Sequence, residues 1–221
     1  MSSERSDSIA VRFEAVTKRF PTERSVRSAR GSGPAAARPP ALDDVDLAIP
    51  QGQILGIIGH NGAGKSTLLK LLARVLAPTS GRISSPGRVG SMIELGLGFQ
   101  PLLTGRENAL CSGALLGLTP AEVRRRIPAI VEFSGLGDAF DRPLREYSSG
   151  MVARLGFATA IHVDADVLAV DEVLAVGDAE FQERCLRHIR GLVSKGVTVL
   201  FVSHQVNLVA ATALTSKSGG C

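Results

Sequence analysis

The sequence predicts an α/β fold with a mainly parallel central sheet, antiparallel strands at its amino end and a helical subdomain inserted before the last two strands. Three observations lead there. Ile54 to Ile58, Val167 to Val170 and Thr198 to Val202 are continuously apolar, as in strands covered on both faces. Val45, Leu47 and Ile49 instead alternate with Asp44, Asp46 and Ala48, the pattern of a half-buried strand. Between Thr104 and Val163 the signals are those of helices and their caps.

The elements follow in order. Ile9 to Phe13 alternates like a short strand. Pro21 to Pro40, rich in Ser, Arg, Gly, Pro and Ala, reads as a flexible insertion between two strands. After the run Ile54 to Ile58 comes a glycine-rich turn; Leu68, Leu69, Leu71, Leu72, Val75 and Leu76 then recur at helical spacing until Pro78 and Gly81 stop them. Arg88 to Ile93 reads as another short strand. Thr104 and Glu107 have capping-box spacing, and Thr119, Pro120 and Glu122 place a cap, a first-turn proline and a carboxylate before a second helix that Pro128 is expected to kink. Gly150 to Val163 predicts a third helix and Ala179 to Val193 an amphipathic one. Residues 1–221 are thus expected to form a single domain with a helical subdomain over 104–163. Ala211 to Cys221 carries little strand or helix pattern, so the carboxyl end reads as truncated, which would leave a sheet edge uncovered.

Composition narrows the function. The chain of 221 residues has 25 basic and 21 acidic side chains, and the surplus sits in Met1 to Pro40, with 8 basic against 4 acidic. That arm, with Arg24, Arg27, Arg30 and Arg38, reads as a solvated loop rather than a nucleic-acid surface. Aromatic residues make up 4% and Trp is absent, which argues against a stacking platform for single strands; no nucleic-acid partner is expected. Cys111, Cys185 and Cys221 have no C-x-x-C spacing and read as reduced thiols. No apolar run approaches the roughly 18 residues of a membrane span, so work at a membrane would require another subunit.

The chemistry begins at Gly59-His60-Asn61-Gly62-Ala63-Gly64-Lys65-Ser66-Thr67, which fits G-x-x-x-x-G-K-[ST] between a strand and a helix. Glycines let consecutive backbone N–H groups face a phosphate chain, and the helix adds its positive end. Lys65 then reaches the β- and γ-phosphates and the Ser66 hydroxyl ligates Mg²⁺. Asp171 and Glu172 follow a buried strand at its carboxyl end, where open α/β sheets bind ligands. There Asp171 is expected to hold Mg²⁺ and Glu172 to polarise an attacking water. The expected fold is therefore a P-loop NTPase.

Tyr147-Ser148-Ser149-Gly150-Met151 at a helix start resembles the signature motif of ABC-type ATPases. His204 resembles their switch histidine, Asp178 in Ala175-Val176-Gly177-Asp178 their D-loop, and Phe20 their adenine-stacking aromatic; the order of these motifs matches from Val11 to about Gln205. The Tyr-Ser-Ser-Gly-Met form, with Asp171-Glu172-Val173-Leu174-Ala175-Val176-Gly177-Asp178, Glu94 to Phe99 and Leu103 to Asn108, is similar to ATPases that export O-antigen, capsule or teichoic acid. The resemblance implies ATP and Mg²⁺ as cofactors, with Lys65, Glu172 and His204 catalytic and Ser66, Asp171 and Glu94 at the metal. Glu94 departs from the wider family, where glutamine is usual at that place. A homodimer is implied, each nucleotide lying between the loop of one copy and Ser148 and Gly150 of the other. A membrane permease would be the partner, holding the ATPase at the cytoplasmic face of the inner membrane. A soluble ABC ATPase acting on DNA or ribosomes, and a truncated inactive one, are the alternatives.

Overall fold

The computed structural model describes residues 8–21, 39–93, 95–171 and 177–203. In chain order its elements are β1 (Ile9–Lys18), β2 (Leu42–Pro50), β3 (Ile54–Ile58), α1 (Lys65–Leu72), β4 (Ser80–Ser84), β5 (Val89–Ser91), α2 (Gly105–Leu115), α3 (Pro120–Ser134), α4 (Ser149–Ile161), β6 (Val167–Val170), α5 (Ala179–Ser194) and β7 (Thr198–Ser203). Among the described residues two sheets form: an antiparallel one in the order β2-β1-β4, and a parallel one in the order β3-β7-β6-β5.

The apolar runs of β6 and β7 alternate between two cores. Val167, Ala169, Leu200 and Val202 pack with α1 and the antiparallel sheet, whereas Leu168, Val170, Val199 and Phe201 pack with the helical block and α5. Successive side chains of a strand point to opposite faces, so each residue of the run has a core to enter. Full burial of one such side chain stabilises by about 1.5–3 kcal/mol, and this is what fixes the two strands in the centre.

Several expectations require correction. β3 is the edge of the described parallel sheet, paired only with β7 there; each of its faces meets a core, Ile54 packing against one cluster and Leu55 and Ile57 against the other, but its residues are only half-buried and Ile58 is 47% exposed. α1 ends at Leu72 rather than reaching Leu76, because Arg74 takes a left-handed conformation (φ 58°) that turns the chain and leaves Val75 57% exposed. β5 covers only Val89–Ser91. β1 runs on to Lys18, since an irregularity at Ala15 (φ 48°), whose N–H donates to Asp46 Oδ1 at 2.8 Å, bends the strand without ending it. β4 had no periodic signal, having only Ile83 as an apolar residue.

Both predicted capping boxes form, Thr104 with Glu107 and Thr119 with Glu122. α3 continues through Pro128. The block is joined to α5 by an aromatic cluster around Phe133 on α3. Its ring centroid lies 6.0 Å from that of Phe157 on α4, 5.8 Å from Phe181 and 5.2 Å from His188 on α5, and 5.5 Å from His162. His162 Nδ1 lies 2.7 Å from the Ala158 carbonyl, so that nitrogen carries the proton and donates.

Burial pushes both His162 and His188 below the ordinary imidazole range; Arg126 adds to this at His162, and His162 and Lys195 at His188. An imidazole depressed in the folded protein binds its proton more readily when unfolded, so its contribution is full above about pH 6.5 and lost as pH falls below it. Hydrogen bonds from the caps and from Arg106 and Arg154 hold Glu107, Glu122, Asp141 and Asp178 low, and their contributions fade at more acid pH. The urea midpoint should therefore fall between about pH 6.5 and 5, and a His188→Gln variant should show a shallower fall over that window in the same titration.

Candidate nucleotide site

The phosphate loop leaves the carboxyl end of β3 and enters α1. Gly62 and Gly64 have φ of 87° and 85°, the left-handed region open to glycine without steric cost. Gly64 has a second reason to lack a side chain: a Cβ there would sit 2.4 Å from the Ala41 carbonyl oxygen and 2.8 Å from Leu42 Cδ2. Gly64 also opens α1 with no side-chain cap, so the first amides of this helix have no side-chain acceptor competing with a phosphate. Lys65 folds back over the loop, its Nζ donating to the carbonyls of Gly59 at 2.6 Å and His60 at 2.9 Å. His60 Nδ1 lies 2.9 Å from the Asn61 carbonyl. Ala63 and Ser66 are exposed, and Thr67 half-buried, along the same loop and helix start.

Asp171 directly follows β6, on the sheet edge from which the loop also departs. Phe20 is 48% exposed, with the Lys18 ammonium 5.2 Å from its ring centroid. Glu94, Glu172 and His204 lie outside the described residues, as do residues 22–38 of the predicted insertion and the carboxyl end after Ser203.

The signature residues belong to a different surface. Ser148 caps α4, its Oγ accepting from the Met151 N–H at 3.2 Å. Asp178 caps α5, its Oδ1 accepting from the Phe181 N–H at 2.9 Å, and that amide, more than the nearby Arg154, holds the carboxyl low. Ser148, Ser149 and Gly150 line an open cleft of about 710 Å³ together with Arg154, Gly177 and Asp178. None of Gly59 to Thr67, Phe20 or Asp171 lines it. One copy therefore gathers the expected site residues into two groups.

The pattern describing the ABC transporter family matches residues 42–175. The chain belongs to that family. Like other ABC cassettes it binds ATP and is an ATPase. It is 52% identical over 167 residues to the O-antigen export system ATP-binding protein RfbB of Klebsiella pneumoniae, a match covering 76% of this chain and 68% of that protein. It is 43% identical over 169 residues to the teichoic acids export ATP-binding protein TagH of Bacillus cereus, covering 76% of this chain but 31% of that much longer protein. Its fold is similar to the dimeric, post-hydrolysis state of the ATP-binding cassette MJ0796 bound to ADP and Pi, with a TM-score of 0.73, 22% identity and 90% of each chain covered.

Sequence reasoning passed over Asn108 of this ABC cassette as more than part of a likeness. Fully buried, it shares the two N–H groups of Nδ2 among the carbonyls of Gln100 (3.0 Å), Leu103 (3.0 Å) and Thr104 (2.9 Å), and its Oδ1 accepts from the Gln100 N–H at 2.6 Å. It thereby fixes the turn that leads into α2. A buried polar residue beside a cap was the available signal.

The two loop glycines separate backbone strain from crowding. Gly62→Ala meets nothing within 4 Å and should cost only the left-handed conformation, about 1–2 kcal/mol, whereas Gly64→Ala adds the collision with Ala41. Thermal melts should rank Gly64→Ala below Gly62→Ala, and calorimetry with Mg·ATP should find binding lost in the former.

Proposed function

We propose that this chain is the ATP-hydrolysing subunit of an exporter of cell-surface polysaccharide or lipid-linked glycan. It acts as a pair at the cytoplasmic face of the membrane beside a permease that supplies the path. The substrate class rests on the two export relatives, one acting on O-antigen and one on teichoic acids. Among the described residues no helix is long and apolar enough to cross a membrane, in keeping with a separate permease.

The observation that carries the mechanism is the division of the site between two surfaces. The phosphate loop offers amides and one ammonium on one side of a triphosphate. The second set of donors, the Ser148 hydroxyl and the first amides of α4, lies on the other surface, so it comes from a second copy facing head to tail. When ATP binds, the Lys65 ammonium exchanges the Gly59 and His60 carbonyls for phosphate oxygens, which are stronger, charged acceptors. Phe20 offers an exposed ring to the adenine.

Mg²⁺ suits the donors present: the exposed Ser66 hydroxyl and the Asp171 carboxylate are hard oxygen groups at the end of the sheet where the loop lies. When bound, the ion neutralises charge on the β- and γ-phosphates. Glu172 would orient and polarise the attacking water, His204 would contact the γ-phosphate, and Glu94 would stand at the metal, as the family resemblance implies. Loss of the γ-phosphate removes the ligand shared by both copies, so closure on ATP gives way to opening.

The same reading gives the permease a place to dock. Val75, Leu97 and Leu115, all exposed, border an apolar groove of about 280 Å³ between the chain just after α1, β5, α2 and α4. An apolar segment of the permease in this groove would feel the helical block move.

Lys65→Ala should lose both ATP binding and turnover, while Glu172→Gln should bind Mg·ATP and lose turnover. Undiminished hydrolysis by purified Glu172→Gln would remove the role assigned to that carboxylate. Affinity capture of the intact chain from its own membranes should retain a multi-span protein; recovery of ribosomes or DNA in its place would overturn the exporter reading.

A further inference from the structure

The cleft beside Ser148 contains a cation that the mechanism above does not use. Arg154 lies one helical turn beyond Gly150 on α4, and its guanidinium is committed at both ends. Its Nη2 donates to Asp178 Oδ2, while its Cζ lies 5.2 Å from the centroid of Phe181. Asp178 is the cap of α5 and Phe181 is in the first turn of that helix. The same carboxylate therefore starts α5 through Oδ1 and holds α4 through Oδ2.

We propose that Arg154 is a positioning residue for ATP hydrolysis: it locks the start of α4, which presents Ser148 and Gly150, to the start of α5, so that both reach the nucleotide of the second copy as one rigid edge. The inference rests on the paired-site reading and adds to it the element that sets the spacing of the two helix starts.

Magnitudes favour position over stability. The Arg154 side chain is 27% exposed and that of Asp178 60%, and ion pairs this open to solvent contribute little to folding. Their geometry is nevertheless specific, because the guanidinium must donate to Asp178 Oδ2 while its plane stays against the Phe181 ring. The other nearby cation cannot take over: Arg184 donates to the Phe133 carbonyl at 3.2 Å and to Glu180 at 3.1 Å. Without Arg154, the cap of α5 survives but the cleft loses the tie across its two walls. A phosphate contact that depends on both walls then forms less often, which lowers kcat while the phosphate loop of the first copy still binds nucleotide.

The test uses Arg154→Gln, Arg154→Lys, Asp178→Asn and the double variant Arg154→Gln/Asp178→Asn in the full chain. Asn at 178 retains an acceptor for the Phe181 N–H, so α5 stays capped. Arg154→Gln should lower kcat by about tenfold with KM for Mg·ATP and affinity for ADP within about twofold and an unchanged thermal midpoint. Arg154→Lys, keeping the charge, should recover part of the rate. Asp178→Asn should resemble Arg154→Gln, and the double variant should be no worse than the poorer single one. Hydrogen exchange supplies a readout that needs no turnover: peptides spanning 148–155 and 178–185 should both exchange faster in Arg154→Gln. A wild-type kcat in Arg154→Gln, rate losses that multiply in the double variant, or unchanged exchange in both peptides would each overturn the inference. A wild-type chain that binds Mg·ATP without turning it over would count against the function above, and the exchange comparison would still decide the role of Arg154.

Discussion

The structure depends on β6 and β7 each having two cores to serve. Their side chains enter the core under the antiparallel sheet and the core of the helical block in turn, so a slip of one residue would send every side chain to the wrong face. The register is therefore held, with Val167 opposite Thr198 and Val170 opposite Phe201 between β6 and β7, and Ile54 opposite Val199 between β3 and β7. Because all these strands are parallel, their carboxyl ends finish on one edge. The loop beginning at Gly59 and the carboxylate of Asp171 start from that edge, so strand register sets the height of one relative to the other.

Helix starts provide the second level of organisation. Thr104, Thr119, Ser148 and Asp178 each cap their helix with a side-chain oxygen, which satisfies an amide that would otherwise be orphaned. α1 differs, since Gly64 has no side chain to offer. Among the described residues five α-helices thus share one backbone problem, and the α-helix without a side-chain cap is the one next to the phosphate loop, where an anion can supply the acceptor. Ser148 differs from the threonine caps in what its proton does: Thr104 and Thr119 donate theirs to Glu107 and Glu122, whereas the Ser148 Oγ accepts from the Met151 amide at 3.2 Å and can donate to an acceptor in the cleft.

Much of this was legible in the sequence where a local rule applied. The phosphate loop, the two capping boxes and the fully buried β6 follow from spacing alone. What escaped depended on neighbours distant in the chain. Continuous apolarity in Ile54 to Ile58 marks a strand with a core on each face but does not say how deeply it is buried, and β3 proved to be a half-buried edge among the described residues. β4 is a strand because β1 is there to pair with it, not because Ser80–Ser84 has a pattern. The leucine periodicity of α1 continues past its true end, which Arg74 sets by backbone conformation. Asn108 looked like an ordinary polar helix residue, although the turn before it hangs from its amide. The Arg154 to Asp178 tie joins two motifs that were each readable, yet nothing in their spacing brings the side chains together.

On the proposed pairing, the placement of donors would also leave one copy alone an incomplete enzyme. A triphosphate on the loop of a single cassette would meet amides and the Lys65 ammonium along one side, and water along the other. Water screens those interactions and competes for every phosphate oxygen, so charge developing at the γ-phosphate would gain little from one surface alone. A second surface of fixed donors changes this by replacing mobile water with dipoles already oriented. The replacement works only if those dipoles keep their spacing as the two surfaces approach. In this chain two contacts join the helices, Arg154 against Asp178 at the cleft and, further along, Phe133 against Phe157 of α4 and His188 of α5, so on the proposed pairing α4 and α5 would arrive as one body.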